Sequence, residues 1–310
     1  MSQHLFIIGA SGYVGGTLSR HFAANDYSVT GLVRSAQAAD RLRKSGIRPH
    51  TGDLEANLAP VLAMAKAADA VIYAAQVAFD REPAILRALC EALAGSGKTL
   101  IFLSGSGVLM QRTQGVWSSD SFAEDDAFTA ERLAIPRVEA ENIVRAAAGK
   151  GVRAIVIRPP VIWGPGDNGP VAQVYRSIAK TGAACYIGTG LAVYANVHSA
   201  DLADLFSLAL KRGRAGALYH AVGGEIPYRW IAESVARDMG VEARSVTMSE
   251  AVEIFGPFGA LLQSACSRIR DSSTRTELGW VPTRQDMLST VGESRLRVLA
   301  DSSLKSEQTT

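Results

Sequence analysis

The chain has 310 residues, 47% of them hydrophobic, which is enough to bury the core of one large α/β unit or two modest domains. Its formal net charge is only +2 and its basic residues are spread along the chain, which argues against binding to nucleic acid or to an anionic membrane. No stretch is apolar enough to be a membrane span or a signal peptide. We therefore expect a cytoplasmic protein, a monomer or a homodimer, that acts on a small molecule.

The first half of the chain alternates short apolar runs with segments that are compatible with helices. Strands are predicted at 4–9, 28–33, 70–75, 99–104 and 153–158, and helices at 12–25, 36–44, 57–67, 82–95 and 137–149. This alternation predicts an α/β protein with a doubly wound parallel sheet, the Rossmann fold.

The alternation stops after residue 163, where glycine and proline cluster in WGPGDNGP. Residues 196–223 are typical of one more helix and strand, and the remainder predicts a smaller, discontinuous, mostly helical substrate domain. The dinucleotide-binding domain is therefore expected to comprise residues 1–162 and 196–223, and the substrate domain residues 163–195 and 224–300. The polar residues 301–310 are typical of a disordered tail.

The glycine-rich segment GASGYVGG follows the first predicted strand directly and leads into the first predicted helix. Such a turn brings bare backbone against a pyrophosphate at a helix N-terminus, so its position indicates a dinucleotide site. The residues of this turn that we expect to bind the cofactor are Gly9, Ser11, Gly12, Tyr13, Val14 and Gly15.

Arg34 ends the second strand, about twenty residues after the glycines. In a dinucleotide fold this position faces the adenosine ribose, where arginine suits a 2′-phosphate and an acidic residue suits the 2′-hydroxyl. The sequence therefore favours NADP(H) over NAD(H), with a solvated arginine as the alternative.

Several segments in the same order carry a resemblance to a known family: GASGYVG, GDL at 52–54, VRAIVIRPPVIWGPGD at 152–167 and TELGWVPT at 276–283. The chain resembles an extended-type short-chain dehydrogenase/reductase of the NAD(P)-dependent epimerase/dehydratase group. The resemblance implies that Asp53 and Leu54 flank the adenine, that Ala74 and Ala75 pass beside the ribose and pyrophosphate, and that Pro159 lies near the nicotinamide. The alternative is that Asp53 only forms a turn or an N-cap before the next segment.

The catalytic Tyr-x-x-x-Lys of that family has no counterpart here. The pair Ala140 and Glu141 aligns the lysine position with Arg137 and the tyrosine position with Leu133, and Pro136 indicates the first turn of the helix. Leucine cannot donate a proton, and arginine keeps its charge near neutral pH, so Arg137 is expected to hold the cofactor and not to move protons.

Replacement groups are sought among residues that the fold would bring near the cleft. The resemblance puts the catalytic serine at Ser106 and places Ser104 closer to the cofactor, although the surrounding SGSG is also an ordinary loop composition. His198 has a suitable pKa for a proton shuttle, but it also precedes a capped helix. Other candidates are Glu124, Asp125, Asp167, Tyr175, Tyr186, Tyr194 and Asp201.

Three functional hypotheses follow from these residues. The first is an NADP(H)-dependent reductase of a carbonyl, imine or activated double bond in a small, partly apolar molecule. The second is a non-catalytic NADP(H)-binding sensor, and the third is an isomerase, cyclase or lyase on the same fold. No metal ion is expected in any of them, because the three cysteines lie far apart without histidine or cysteine at ligand spacing.

Overall fold

The computed structural model describes residues 2–301. The strands are, in chain order, β1 (His4–Ile8), β2 (Ser28–Val33), β3 (Arg48–Thr51), β4 (Ala70–Tyr73), β5 (Thr99–Leu103), β6 (Arg153–Arg158), β7 (Val161–Trp163), β8 (Ala184–Ile187), β9 (Val193–His198), β10 (Leu218–His220), β11 (Gly224–Pro227) and β12 (Ala243–Val246). The α-helices are α1 (Tyr13–Ala24), α2 (Ala36–Lys44), α3 (Ala59–Ala67), α4 (Glu82–Leu93), α5 (Ile135–Ala146), α6 (Pro170–Thr181), α7 (Ser199–Arg212), α8 (Tyr228–Met239), α9 (Met248–Ser264) and α10 (Ser294–Arg297).

The main sheet has seven strands in the order β10-β6-β5-β4-β1-β2-β3, and every pair is parallel. The chain winds outward from β1 to β3, and then resumes at β4 on the other side of β1. This reversal creates a crevice beyond the carboxyl ends of β1 and β4, which is where doubly wound sheets bind ligands. The predicted Rossmann fold is confirmed.

Apolar side chains cover both faces of this sheet, as the continuous hydrophobic runs predicted. One core lies against α1, α2 and α7, and includes Phe22 and Phe206. The other lies against α3, α4 and α5, and includes Leu89 and Val144. Strand β3 was not predicted, because its sequence RPHT at the sheet edge is neither apolar nor rich in β-branched residues.

The residues beyond the main sheet form a third core from α6, α8 and α10. They include two small sheets, β11-β9-β7 and β12-β8, beside the predicted helices. Residues 196–223 are therefore divided between the two parts. Strand β9 belongs to a small sheet, whereas α7 packs on α1 and β10 extends the main sheet.

Within residues 2–301, no helix combines the length and the apolar character needed to cross a bilayer. The prediction of a disordered tail concerns residues outside this range, apart from Asp301.

Candidate functional site

A cavity of about 620 Å³ follows the carboxyl edge of the main sheet. It extends from the end of β2 and the loop after β3, across the ends of β1 and β4, to the end of β5 and the residues that follow β6. The structure brings nearly all the predicted cofactor residues to its wall: Gly9, Ser11, Gly12, Tyr13, Val14, Arg34, Asp53, Leu54, Ala74, Ala75, Ser104 and Arg137. Gly15 and Pro159 are not among the lining residues.

The glycine turn at the middle of the cavity is held by close backbone contacts. Gly9 has φ +88°, and a Cβ there would lie 2.6 Å from the Ala74 carbonyl oxygen. A Cβ on Gly15 would lie 2.1 Å from the Gly9 carbonyl oxygen, so Gly15 acts by allowing strand and helix to pack closely. A Cβ on Gly12 would have only the Gly9 oxygen within 4 Å, so the space beside Gly12 is open.

Helix α1 begins at this open space without a side-chain cap. Its N-cap residue is Gly12, no acidic residue lies in its first turn, and the Gly12 N–H donates to the Gly9 carbonyl oxygen at 3.0 Å. Uncapped N–H groups of a first turn attract an anion, because they carry the positive end of the helix dipole. This geometry fits the pyrophosphate of a dinucleotide.

Arg34 and Asp53 line the cavity at the β2 and β3 end. One carboxylate oxygen of Asp53 accepts hydrogen bonds from the backbone N–H groups of Glu55 at 2.7 Å and Ala56 at 3.0 Å. These bonds hold the pKa of Asp53 below its ordinary value. Asp53 therefore shapes the turn and also lines the cavity, whereas Ser35 caps α2 by accepting from the Ala38 N–H.

Ser104 lies at the opposite end of the cavity and is connected to a buried ion pair. Its hydroxyl donates to a Glu141 carboxylate oxygen at 2.6 Å, and Arg158 binds the same carboxylate through Nε at 2.8 Å and a second nitrogen at 2.5 Å. Glu141 and Arg158 are both buried. The Glu141 carboxylate thus neutralises the buried Arg158 guanidinium at the end of β6.

Arg137 lines the same end and makes a second buried ion pair. Its Nε lies 3.0 Å from a carboxylate oxygen of Glu82, the first residue of α4. The guanidinium carbon lies 5.1 Å from the ring centre of Phe79 and 5.5 Å from that of Phe102. Burial raises the pKa of Glu82 to about 7, against the opposing effect of Arg137 and with a smaller upward contribution from Glu141.

The two predicted catalytic residues do not line the cavity. Ser106 is fully buried at the start of a 3₁₀ turn, and its hydroxyl oxygen accepts from the Ser267 hydroxyl at 3.1 Å. His198 caps α7, with Nδ1 accepting from the Ala200 N–H at 3.1 Å, and burial lowers its pKa. Both side chains thus have local structural partners.

Most of the other candidates for proton transfer also have partners elsewhere. Glu124 accepts from the Thr274 hydroxyl, and Tyr175 donates to Asp238. None of the seven candidates that the sequence suggested besides Ser106 and His198 is a lining residue of the cavity. Leu133 is 62% exposed and does not line the cavity either.

Several lining residues were not predicted: Glu55, Gln76, Val77, Leu103, Ile162 and Asn168. Most of these residues are next to residues that were predicted to bind the cofactor. The positions of the carboxyl ends of the strands could therefore have indicated them. Glu82 had no such signal, because a single acid before a proline does not indicate a partner far along the chain.

Comparison with known proteins gives one family. Residues 5–222 match the model of the NAD dependent epimerase/dehydratase family. An uncharacterized protein of Schizosaccharomyces pombe is 32% identical over 297 residues, which are 93% of this chain and 97% of that protein. A 4-hydroxy-2-methyl-3-oxo-4-farnesyl-3,4-dihydroquinoline-1-oxide ketoreductase of Stigmatella aurantiaca is 29% identical over 243 residues, 71% of this chain and 68% of the relative.

Two solved structures have a fold similar to that of this chain. The dTDP-glucose 4,6-dehydratase of Bacillus anthracis in complex with NAD superposes with a TM-score of 0.73 at 16% identity, covering 99% of this chain and 98% of the other. A dTDP-glucose 4,6-dehydratase of Streptomyces venezuelae with NAD bound superposes with a TM-score of 0.71 at 20% identity, covering 95% of this chain and 96% of the other. The chain belongs to the NAD-dependent epimerase/dehydratase family.

Proposed function

We propose that the protein is an NADP(H)-dependent oxidoreductase that reduces a carbonyl, imine or activated double bond of a small, partly apolar molecule. The observation that carries the proposal is the continuity of the cavity, from Arg34 past the uncapped start of α1 to Ser104 and Arg137. A dinucleotide needs this sequence of partners: a ribose contact, a pyrophosphate contact and a polar redox end.

The choice of NADP(H) rests on Arg34. Arg34 lines the cavity at the end of β2, it is exposed, and no ion pair to it is found within residues 2–301. A free arginine at the end of β2 offers several donors to a 2′-phosphate, whereas an NAD-specific site uses an acidic residue that accepts from the 2′-hydroxyl.

At the redox end the residues have different hydrogen-bonding capacities. The Ser104 proton is already donated to Glu141, so Ser104 offers its oxygen as an acceptor to the ligand. Arg137 offers only donors, which suit a ribose hydroxyl. NADPH supplies the hydride when bound.

Tyr73 does not replace the missing acid, because it is fully buried and packs edge-on against Phe102. The proton that is added to the reduced substrate then comes from a bound water or from a group of the substrate. Loss of a general acid typically lowers a rate by about 10²–10⁴. We expect a slow enzyme, and carbonyl reduction is supported by the ketoreductase among the relatives.

The test is a stopped-flow scan of NADPH absorbance with the purified protein against aldehydes, ketones, enones and imines. We expect oxidation of NADPH that depends on protein concentration with at least one class. NADPH binding without turnover of any class would favour the sensor hypothesis, and turnover with NADH in preference to NADPH would refute the assignment of Arg34.

A further inference from the structure

We propose that Glu82 is a positioning residue for Arg137, which fixes the guanidinium at the cavity wall and cancels its charge, so that this end of the cavity accepts hydroxyl groups and not an anion. The inference rests on the proposed function, because it concerns the part of the cavity that would receive the nicotinamide ribose. It concerns a carboxylate that is not itself a lining residue of the cavity.

The ion pair joins the first turns of two neighbouring helices. Glu82 is the first residue of α4, Arg137 is the third of α5, and these helices pack against each other. The Glu82 side chain is fully buried, whereas 13% of the Arg137 side chain is exposed. The guanidinium is therefore the part of the pair that a ligand in the cavity can reach.

Compensation of the Glu82 charge depends on Arg137. Neither carboxylate oxygen of Glu82 has a hydrogen-bond partner within the part of the chain that the structure describes, and Arg137 is the cation found there within ion-pair distance. A buried carboxylate without hydrogen bonds is costly unless a cation neutralises it. The same pairing restrains the guanidinium, since moving it into the cavity would leave the carboxylate uncompensated.

The surroundings favour arginine over the lysine that the family pattern would place here. The rings of Phe79 and Phe102 both lie within 6 Å of the guanidinium carbon, and a planar cation can contact aromatic rings while keeping N–H donors at its edge. Phe79 is 45% exposed, so one ring of the pair borders solvent.

The other charged and titratable groups near Glu82 do not provide a second cation. Glu141 adds negative charge but is neutralised by Arg158. The buried Tyr73 hydroxyl has no hydrogen-bond partner in residues 2–301, and burial, followed by the charge of Glu82, raises the pKa of Tyr73. Replacement of Glu82 by a neutral residue would therefore leave one uncompensated cation at the wall of the cavity.

The experiment measures competition by inorganic phosphate against NADPH at pH 8, which is above the pKa of about 7 that burial gives Glu82, so that the carboxylate is ionised. NADPH fluorescence is the readout. We expect Glu82→Gln to lower the inhibition constant of phosphate by about fivefold or more, because an unpaired cation attracts an anion. The double variant with Glu82→Gln and Arg137→Gln should return this constant to the wild-type value. A matched control is Glu139→Gln, which removes an exposed carboxylate from α5.

An unchanged phosphate constant in Glu82→Gln, with NADPH still bound, would overturn the inference while leaving the proposed function intact. Failure of the wild type to bind NADPH would instead refute the proposed function. If Glu82→Gln does not fold, the melting temperature of Arg137→Gln replaces this test. The unpaired Glu82 should make that variant less stable at pH 8 than at pH 6 relative to the wild type, and an equal pH response of both proteins would overturn the inference.

Discussion

The two ends of the cavity are built differently. The end at β2 and β3 consists of backbone turns, the exposed Arg34 and the partly exposed Asp53. The end at β5 and β6 rests on buried ion pairs, in which Glu82 holds Arg137 and Glu141 holds Arg158. We therefore expect substitutions at the first end to change cofactor specificity with little effect on folding, and substitutions at the second end to affect both stability and chemistry.

The largest effect is expected at the glycine turn between the two ends. Gly15→Ala places a Cβ 2.1 Å from the Gly9 carbonyl oxygen, and backbone must shift to accommodate it. We expect loss of measurable NADPH binding and destabilisation of about 3 kcal/mol or more, seen by fluorescence titration and thermal denaturation. Gly149→Ala is the control, because a Cβ there meets nothing within 4 Å. Normal binding by Gly15→Ala would contradict the close packing of β1 and α1.

The second prediction concerns the buried pair at the redox end. Arg158→Met leaves the Glu141 carboxylate without its cation, and we expect a loss of about 3–5 kcal/mol in the free energy of unfolding, measured by urea denaturation. Arg87→Met removes the partner of the exposed Glu139 and should cost less than about 1 kcal/mol. Similar losses in the two variants would contradict the difference between buried and exposed pairs.

The third prediction concerns pH. Burial raises the pKa of Glu82 from 4.5 to about 7, so the folded protein binds this proton more tightly than the unfolded chain. The contribution of Glu82 is therefore fully present below pH 4.5 and is lost as the pH rises through about 7. Between pH 5 and pH 8 the wild type should lose up to about 3 kcal/mol relative to Glu82→Gln, measured by denaturation at each pH. Parallel profiles would be evidence against the raised pKa.

The fourth and smallest effect is expected at the β2 end. Arg34→Ala should weaken NADPH binding by about 10–100-fold while leaving NADH binding and protein stability nearly unchanged, because one charge-assisted contact to the 2′-phosphate is lost. Arg43→Ala, which removes an exposed arginine of α2 paired with Asp40, is the control. Equal losses for both cofactors would remove Arg34 from the 2′-phosphate site.

The same contrast explains what the sequence could predict. The glycine turn and the strand ends are short, contiguous patterns, and Gly9, Arg34, Ala74 and Ser104, which were predicted to bind the cofactor, all line the cavity. Pro136 also indicated the first turn of α5 correctly. Local sequence is enough here because parallel strands in one sheet end at the same edge.

Local sequence patterns could not predict contacts between segments that are far apart in the chain. Glu82 meets Arg137, and Ser104 meets Glu141, only because α4, α5 and β5 pack together. The assignment of the catalytic serine to Ser106 likewise assumed that the loop after β5 stays at the cavity, whereas the 3₁₀ turn places the Ser106 hydroxyl against Ser267.

Calorimetric titration of the wild-type protein with NADPH and with NADH tests the central claim most directly. We expect one NADPH per chain, bound at least tenfold more tightly than NADH, in agreement with a 2′-phosphate contact of about 1.4 kcal/mol or more. Absence of heat with either nucleotide, while the protein remains folded by circular dichroism, would contradict the assignment of the cavity as a nicotinamide dinucleotide site.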